Sequence, residues 1–172
     1  MSAELLEAPL FACLDGLGVR WQLWRHPPVM TVEESKRLRG PIPACHVKNL
    51  LVRDKKRRLW LLTMAEARRV PLKSLRGVLG ARGGLSFASP DLLRETLGVE
   101  PGSVTPLGAL NDTAARVTVV LDQALLDCAR IAVHPLHNAA TIALSPADLL
   151  RFLDHTGHPA QQIDLGPIPV PG

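Results

Sequence analysis

The sequence predicts a single α+β domain built around a mixed β-sheet, and three observations support this fold class. The chain has 172 residues, which is enough for one domain with its own core. Helical and strand-like segments alternate irregularly along it, which favours separate helices and a mixed sheet. Two apolar segments, near 47–53 and 58–64, are joined by a short basic turn and therefore predict a hairpin.

The helices are predicted from leucine spacing and from residues that cap helix ends. Thr31 and Glu34 form a capping box, which starts a helix that Gly40 ends. Ser89 and Ser145 each precede a proline, the usual arrangement of an N-cap and a first helical position. The predicted helices cover residues 3–14, 31–39, 71–79, 89–97 and 145–155.

The remaining strands are predicted from alternating or β-branched apolar residues. They cover residues 19–24, 117–121, 131–133 and 141–144, with 162–165 as a candidate closing strand. A structured loop is expected at 102–108, because glycine and proline frame it. The proline-rich residues 167–172 are predicted to form an extended, mobile tail.

Basic residues are concentrated in one part of the chain. The net charge is only +4, yet half of the 20 lysines and arginines fall between positions 53 and 82. One interpretation is a solvated hairpin tip and helix face. The other is a surface that contacts phosphate groups of a nucleic acid. With three Phe, three Trp and no Tyr, a platform for stacking bases is not expected.

Several classes of function are disfavoured by the motifs. Cys13, Cys45 and Cys128 show no paired framework or metal spacing, which predicts free thiols in a reducing cytoplasm. The pairs His134/His137 and His155/His158 lack a third ligand, so no metal is expected. The sequence contains no nucleophile elbow and no phosphate-binding glycine loop. It also has no secretory signal and no apolar run long enough to span a bilayer.

Lys48 and Asn49 form the most suggestive pair in the chain. They lie at the start of an apolar strand, and the basic turn Lys55–Arg58 follows that strand. This placement indicates a site for an anionic ligand, although a lysine at a strand edge is more often a surface residue. The residues alone leave both interpretations open.

The order of several short motifs resembles that of the YbaK/ProX family of free-standing aminoacyl-tRNA editing deacylases, which are similar to the editing domain inserted in bacterial prolyl-tRNA synthetases. The resemblance extends over about residues 20–165 and is closest to the ProX subgroup, which hydrolyses alanine mischarged on proline tRNA. The chain departs from the motif at Val47, where threonine is common, and at Leu51, where an aromatic residue is usual. The stretches that carry the resemblance are His26–Val29 with Thr31–Glu34, His46–Leu50 with Asp54–Lys56, Leu79–Ala81 with Leu85–Ala88, Leu97–Val99 with Pro101–Pro106, and His134–Leu136 with Asn138.

The resemblance implies a barrel-like, mostly antiparallel sheet surrounded by helices, with an editing domain over residues 1–166. Lys48 matches the family's essential lysine and His134 its His-Pro element, so both are candidate catalytic residues. Candidate tRNA contacts are Lys55, Lys56, Arg57 and Arg58. The residues implied to bind substrate are Asn49, Gly102, Ser103, Val104, Thr105, Pro106 and Asn138.

The implied function is hydrolysis of the ester of mischarged tRNA(Pro), with Ala-tRNA(Pro) as the expected substrate and no cofactor. Alternatives are a deacylase for another species, such as Cys-tRNA(Pro), and a non-catalytic tRNA-binding module. The expected partner is the acceptor end of the tRNA. Prolyl-tRNA synthetase and elongation factor are candidates for transient contact, and no membrane or DNA partner is expected.

Overall fold

The computed structural model describes residues 2–169 and shows one mixed sheet with helices on both faces. The strands follow the spatial order β1-β7-β6-β2-β3-β5-β8, and β4 pairs with β2 beside this path. β1 and β8 stand at opposite ends, so within residues 2–169 the sheet does not close into a barrel. The strands are β1 (Trp21–Arg25), β2 (Cys45–Arg53), β3 (Leu59–Ala65), β4 (Ser86–Phe87), β5 (Val117–Asp122), β6 (Ile131–Val133), β7 (Ala140–Leu144) and β8 (Gln161–Ile163).

Five α-helices and two 3₁₀ helices surround the sheet within the described residues. The three predicted N-caps, Thr31, Ser89 and Ser145, all accept the expected bond, for example from the amide of Glu34 to the Thr31 hydroxyl at 3.1 Å, and Ser2 caps the first helix in the same way. The helices are α1 (Ala3–Gly16), α2 (Val32–Leu38), α3 (Leu72–Leu79), α4 (Pro90–Leu97) and α5 (Pro146–His155), with 3₁₀ helices at Pro106–Asn111 and Gln123–Asp127.

Strand β2 has two different neighbours along one edge. It pairs with β6 in parallel at Cys45 and His46, and with β4 antiparallel at Val52 and Arg53. Its other edge pairs with β3 over its full central length. The segment between the two short pairings carries Lys48 and Asn49. The topology therefore places this pair at an opening between β6 and β4.

Strand β3 is buried along its whole length and divides the core into two clusters. Because side chains alternate across a strand, Leu59 and Leu61 pack into a large cluster with α1, α4 and α5. Trp60 and Leu62 point the other way, into a smaller cluster with Leu75 of α3. Two-sided burial explains why this strand reads as a continuous apolar segment and not as an alternating one.

The sequence predictions locate all the long elements and miss the shortest ones. Strand β4 has two residues, and the 3₁₀ helices lie in segments predicted as loop or left unassigned. Glu34 also departs from a standard capping box, because its carboxylate accepts from the amide of Met30 instead of Thr31. Residues 170–172 of the predicted mobile tail lie outside the described residues. No helix within 2–169 combines the length and apolarity needed to cross a membrane.

The prediction of unpaired cysteines is wrong for two of the three. Cys45 and Cys128 form a disulfide, with Cα atoms 6.2 Å apart and 83 positions of sequence between them, while Cys13 is free. Spacing could not reveal this pair, because the parallel pairing of β2 with β6 is what brings the two residues together. The disulfide links the start of β2 to the segment that precedes β6.

The disulfide predicts a stability that depends on redox conditions. We expect Cys45→Ser to lower the free energy of unfolding by about 2–5 kcal/mol under oxidising conditions, because the crosslink restricts a long loop in the unfolded chain. Chemical denaturation with and without dithiothreitol measures the effect. The reductant should destabilise the wild type and leave Cys45→Ser unchanged. Equal stability of the wild type in both conditions would contradict the pairing.

Candidate active site

A cavity of about 250 Å³ opens beside Lys48. Its floor is the first half of β2, its sides are the start of α2 and the loop before the first 3₁₀ helix, and His134 lies on its rim. These elements come from four distant parts of the chain. Its lining residues are Val29, Met30, Thr31, Val32, Ser35, Val47, Lys48, Asn49, Glu66, Gly102, Val104 and His134.

Lys48 is half-buried at this cavity and is held by the backbone. Its ammonium group donates a hydrogen bond to the carbonyl of Arg68. Burial lowers the pKa of Lys48 from its usual value, and the nearby charge of Arg69 lowers it further. No carboxylate forms an ion pair with this ammonium among the described residues, so its charge remains available to a ligand in the cavity.

Arg68, which holds Lys48 through its backbone, is itself fixed by a buried ion pair. Its guanidinium group donates to both carboxylate oxygens of Asp122, with the Nη2–Oδ1 distance at 3.1 Å. The same group donates to the carbonyls of Leu165 and Gly166. Arg68 and Asp122 are both almost fully buried. The C-terminal segment and β5 therefore support the position of the Lys48 ammonium.

Asn49 supplies hydrogen-bonding capacity next to Lys48. Its Oδ1 accepts from the Thr63 hydroxyl at 2.6 Å, which orients the amide across the β2–β3 pair. Its Nδ2 donates to no other described residue, and Asn49 lines the cavity. The amide is thus positioned as a donor for an oxygen atom of a ligand.

His134 has a defined tautomer at the rim of the cavity. Its Nδ1 lies 2.8 Å from the carbonyl of Ala140, and a carbonyl only accepts, so Nδ1 carries the proton. Burial lowers the pKa of His134 below its usual value, outweighing the bond to Ala140. The imidazole is therefore neutral near pH 7, and its Nε2 lone pair can accept a proton.

The opposite wall carries an ion pair that the sequence analysis does not identify. Arg39, just after α2, donates to both oxygens of Glu66 at 3.1 and 3.3 Å. This pairing fixes the end of α2 to the segment after β3. Seven lining residues were not predicted as site residues, namely Val29, Met30, Thr31, Val32, Ser35, Val47 and Glu66. The capping box at Thr31 was the only local signal near them.

The structure brings together five of the nine residues that were predicted to be catalytic or to bind substrate. Lys48, Asn49, Gly102, Val104 and His134 line the cavity. Ser103 and Asn138 line a neighbouring cavity. Thr105 and Pro106 are buried and line neither, and Thr105 caps the first 3₁₀ helix by accepting from the amide of Leu107.

The predicted basic turn lies at the far end of β2. Arg53 is five residues beyond Lys48 on the same strand, which corresponds to about 17 Å at the usual rise per residue. Lys55, Lys56, Arg57 and Arg58 follow it and are exposed. These residues are therefore too far away to act on a group that is bound beside Lys48.

Comparisons with known proteins show what this chain is similar to. The family model described as "Aminoacyl-tRNA editing domain" matches residues 26–152. The prolyl-tRNA editing protein ProX of Acetoanaerobium sticklandii is 38% identical over 157 residues, covering 91% of this chain and 95% of the relative. The prolyl-tRNA synthetase associated domain-containing protein 1 of Bos taurus is 38% identical over 162 residues, covering 92% and 94%.

A solved structure shows the same fold. The crystal structure of a protein proposed as a trans-editing enzyme for prolyl tRNA synthetase superposes with a TM-score of 0.70. The match covers 96% of this chain and 99% of that chain, at 21% sequence identity. At this sequence identity the similarity shows the fold alone.

Proposed function

Because the chain belongs to the aminoacyl-tRNA editing domain family and is an aminoacyl-tRNA deacylase, we propose that it hydrolyses mischarged tRNA(Pro), and Ala-tRNA(Pro) in particular. The observation that carries this proposal is the small cavity in which Lys48, Asn49 and His134 converge. The names of the two relatives, both of which refer to prolyl-tRNA or its synthetase, support the choice of tRNA.

The apolar walls of the cavity support alanine as the substrate. A synthetase pocket shaped for proline cannot strongly reject the smaller alanine, because each missing methylene yields only about 1–3 kcal/mol of discrimination. A second site that accepts alanine and excludes proline by size corrects the error. Val32, Val47 and Val104 form apolar walls suited to a methyl side chain.

The reaction needs orientation and hydrogen-bond donors more than a strong nucleophile, because an aminoacyl ester is already activated. In the proposed mechanism Lys48 binds the ribose or phosphate of the acceptor end, and the Asn49 amide donates to the carbonyl oxygen as negative charge develops there. A water molecule attacks the carbonyl carbon and gives a proton to Nε2 of His134. The ester bond breaks, and the ribose oxygen takes that proton.

Both limbs of the pH profile should reflect the shifted pKa values. Lys48 acts as a cation, so the enzyme-dependent rate falls when pH rises through its pKa, below the 10.5 of an ordinary lysine. His134 acts as a neutral base, so the rate is maintained below pH 6.5 and falls only at more acidic pH. Rates corrected for spontaneous hydrolysis measure both limbs. An alkaline limb that persists unchanged in Lys48→Ala would contradict this assignment.

The basic turn is proposed to contact tRNA phosphates. The Asp54 carboxylate accepts from the amides of Lys56, Arg58 and Arg82 at 2.9 Å each, which fixes the turn against the loop after α3. Burial alone would raise the pKa of Asp54, but these bonds and the Arg58 charge lower it to about 2. The turn therefore keeps its shape at neutral pH and presents Lys55, Lys56 and Arg57 to solvent. Arg58 is less available to a phosphate, because its guanidinium donates to the carbonyl of Gly80 and stacks over Trp60.

The expected setting is the cytoplasm, where tRNA is charged. Prolyl-tRNA synthetase or an elongation factor would meet the protein only transiently, at the acceptor end of the tRNA.

A panel of charged tRNAs tests the proposal. We expect Ala-tRNA(Pro) to be deacylated faster than Cys-tRNA(Pro), because the thiol enlarges the side chain that the valine walls must accept. Acid-gel separation of charged and uncharged tRNA measures both rates. Faster loss of cysteine would shift the assignment to Cys-tRNA(Pro). Binding of tRNA without loss of either amino acid would contradict deacylation and favour a binding module.

A further inference from the structure

A second cavity, of about 510 Å³, lies directly beside the active-site cavity. Its apolar walls are Leu6 of α1, Met30 and Leu136. Its polar residues include Ser103, Asn138 and Glu100. The volume falls in the range of small-molecule sites. The proposed reaction does not use any residue of this cavity.

One side chain separates the two cavities. Met30 lines both of them and is 59% exposed. Its sulfur lies close to Gly102, where a Cβ would come within 3.1 Å of it, and the φ of +85° at Gly102 favours glycine. Because methionine is unbranched and flexible, this partition can adapt to a ligand that passes from one cavity to the other.

Two polar groups in the second cavity have unused hydrogen-bonding capacity. Ser103 is only 3% exposed, and its hydroxyl has no hydrogen-bond partner among residues 2–169. The Asn138 amide nitrogen donates to the carbonyl of Val29 at 2.6 Å, which leaves its Oδ1 as a free acceptor within the described part of the chain. His137 is not available, because Glu7 and the amide of Ala139 occupy both of its ring nitrogens.

The charge in this cavity disfavours a phosphate group. Glu100 contributes an exposed carboxylate, which is paired with Arg94 at 2.8 Å. No lysine or arginine is among the described residues that line this cavity. A neutral, flat and partly apolar ligand suits the walls better. A nucleobase has two apolar faces and a polar edge, and it meets these requirements.

We propose that the second cavity binds the adenine of the terminal adenosine of the charged tRNA. This inference rests on the proposed function, because the ester in the first cavity is attached to the ribose that carries this adenine. Once the ester lies beside Lys48, the base must lie within one nucleoside of it, and the second cavity is adjacent. The amino group of adenine donates to Asn138 Oδ1, and a ring nitrogen accepts from the Ser103 hydroxyl.

This arrangement also predicts selection against other bases. Guanine and hypoxanthine carry a carbonyl oxygen where adenine carries its amino group. That oxygen would face the Oδ1 acceptor of Asn138, and two acceptors cannot share a hydrogen bond. The site thus combines an attractive contact for adenine with a repulsive one for its carbonyl analogues.

Acceptor-stem RNAs that end in adenosine or in inosine, chemically charged with alanine, provide the test. We expect the adenosine substrate to have a kcat/KM about 5- to 100-fold higher, mainly through a lower KM. Asn138→Ala should remove this preference, because it takes away the Oδ1 acceptor that distinguishes the two bases, whereas Ser103→Ala should raise the KM for both RNAs. Ser74→Ala, an exposed serine on α3, is the matched control and should keep the full preference.

The outcomes separate this inference from the function on which it rests. Equal kcat/KM for both RNAs, with both deacylated, would overturn the adenine site and leave the deacylase intact. Loss of neither ester would overturn the proposed function. In that case NMR titration with 3′-alanylamido-adenosine, which is not hydrolysed, decides the adenine site. Chemical shift changes at Ser103 and Leu136 would support it, and their absence would overturn it.

Discussion

Lys48→Ala is expected to lower kcat/KM for Ala-tRNA(Pro) by about 100- to 1000-fold, the range seen when one preorganised catalytic donor is removed. Lys48 presents the one cation among the cavity-lining residues that has no carboxylate partner within the described part of the chain. No other lining residue can replace it, because the others are neutral or acidic. Deacylation under single-turnover conditions measures the loss.

The fold should survive this change, since Lys48 is half-buried and makes a single hydrogen bond. Lys36→Ala, at an exposed position on α2, is a matched control that removes the same charge outside the cavity. We expect it to keep nearly full activity. Folded Lys48→Ala with undiminished deacylation would show that the cavity is not the site of the reaction.

Asp122→Asn is expected to have the largest effect on stability, lowering the free energy of unfolding by about 3–5 kcal/mol. The substitution leaves the buried Arg68 guanidinium without a counter-charge. Asp122 also accepts from the amides of Ala65 and Ala124, at 3.1 and 3.2 Å, so the ends of β3 and β5 lose a shared anchor. Urea denaturation followed by circular dichroism gives the value.

Asp91→Asn provides the comparison, because its carboxylate also pairs with an arginine but is exposed to solvent on α4. An exposed pair of this kind contributes only about 0–1 kcal/mol. A loss in Asp122→Asn no larger than that of Asp91→Asn would contradict the role of the buried pair. Because the Arg68 carbonyl holds Lys48, folded Asp122→Asn should also show reduced deacylation.

The sequence was sufficient for elements with a strong local signal. Ser89 and Ser145 predict their helices because they are N-cap residues, and the apolar segments of β2 and β3 predict the hairpin. Strand β4 was not predicted, because two residues show no periodicity. It is defined by its pairing with the end of β2. The disulfide was not predicted for a related reason, since Cys45 and Cys128 meet only once β2 and β6 are paired.

The candidate site was predictable only through the order of its motifs. Taken alone, Lys48 was as consistent with a surface position as with a ligand site. Its support by Arg68 and Asp122 depends on a contact across 54 positions of sequence, which no local pattern encodes. Ser103 and Asn138 were assigned to one pocket by resemblance, whereas they line a second cavity that shares the lining residue Met30 with the first.

The central claim is that this cavity removes the wrong amino acid from tRNA(Pro) and spares the right one. Deacylation of Ala-tRNA(Pro) and Pro-tRNA(Pro), measured side by side with the same preparation, tests it most directly. We predict that alanine is released at least about 100-fold faster than proline, since exclusion by size must discriminate between them. Equal release of both amino acids, or release of neither, would contradict the claim.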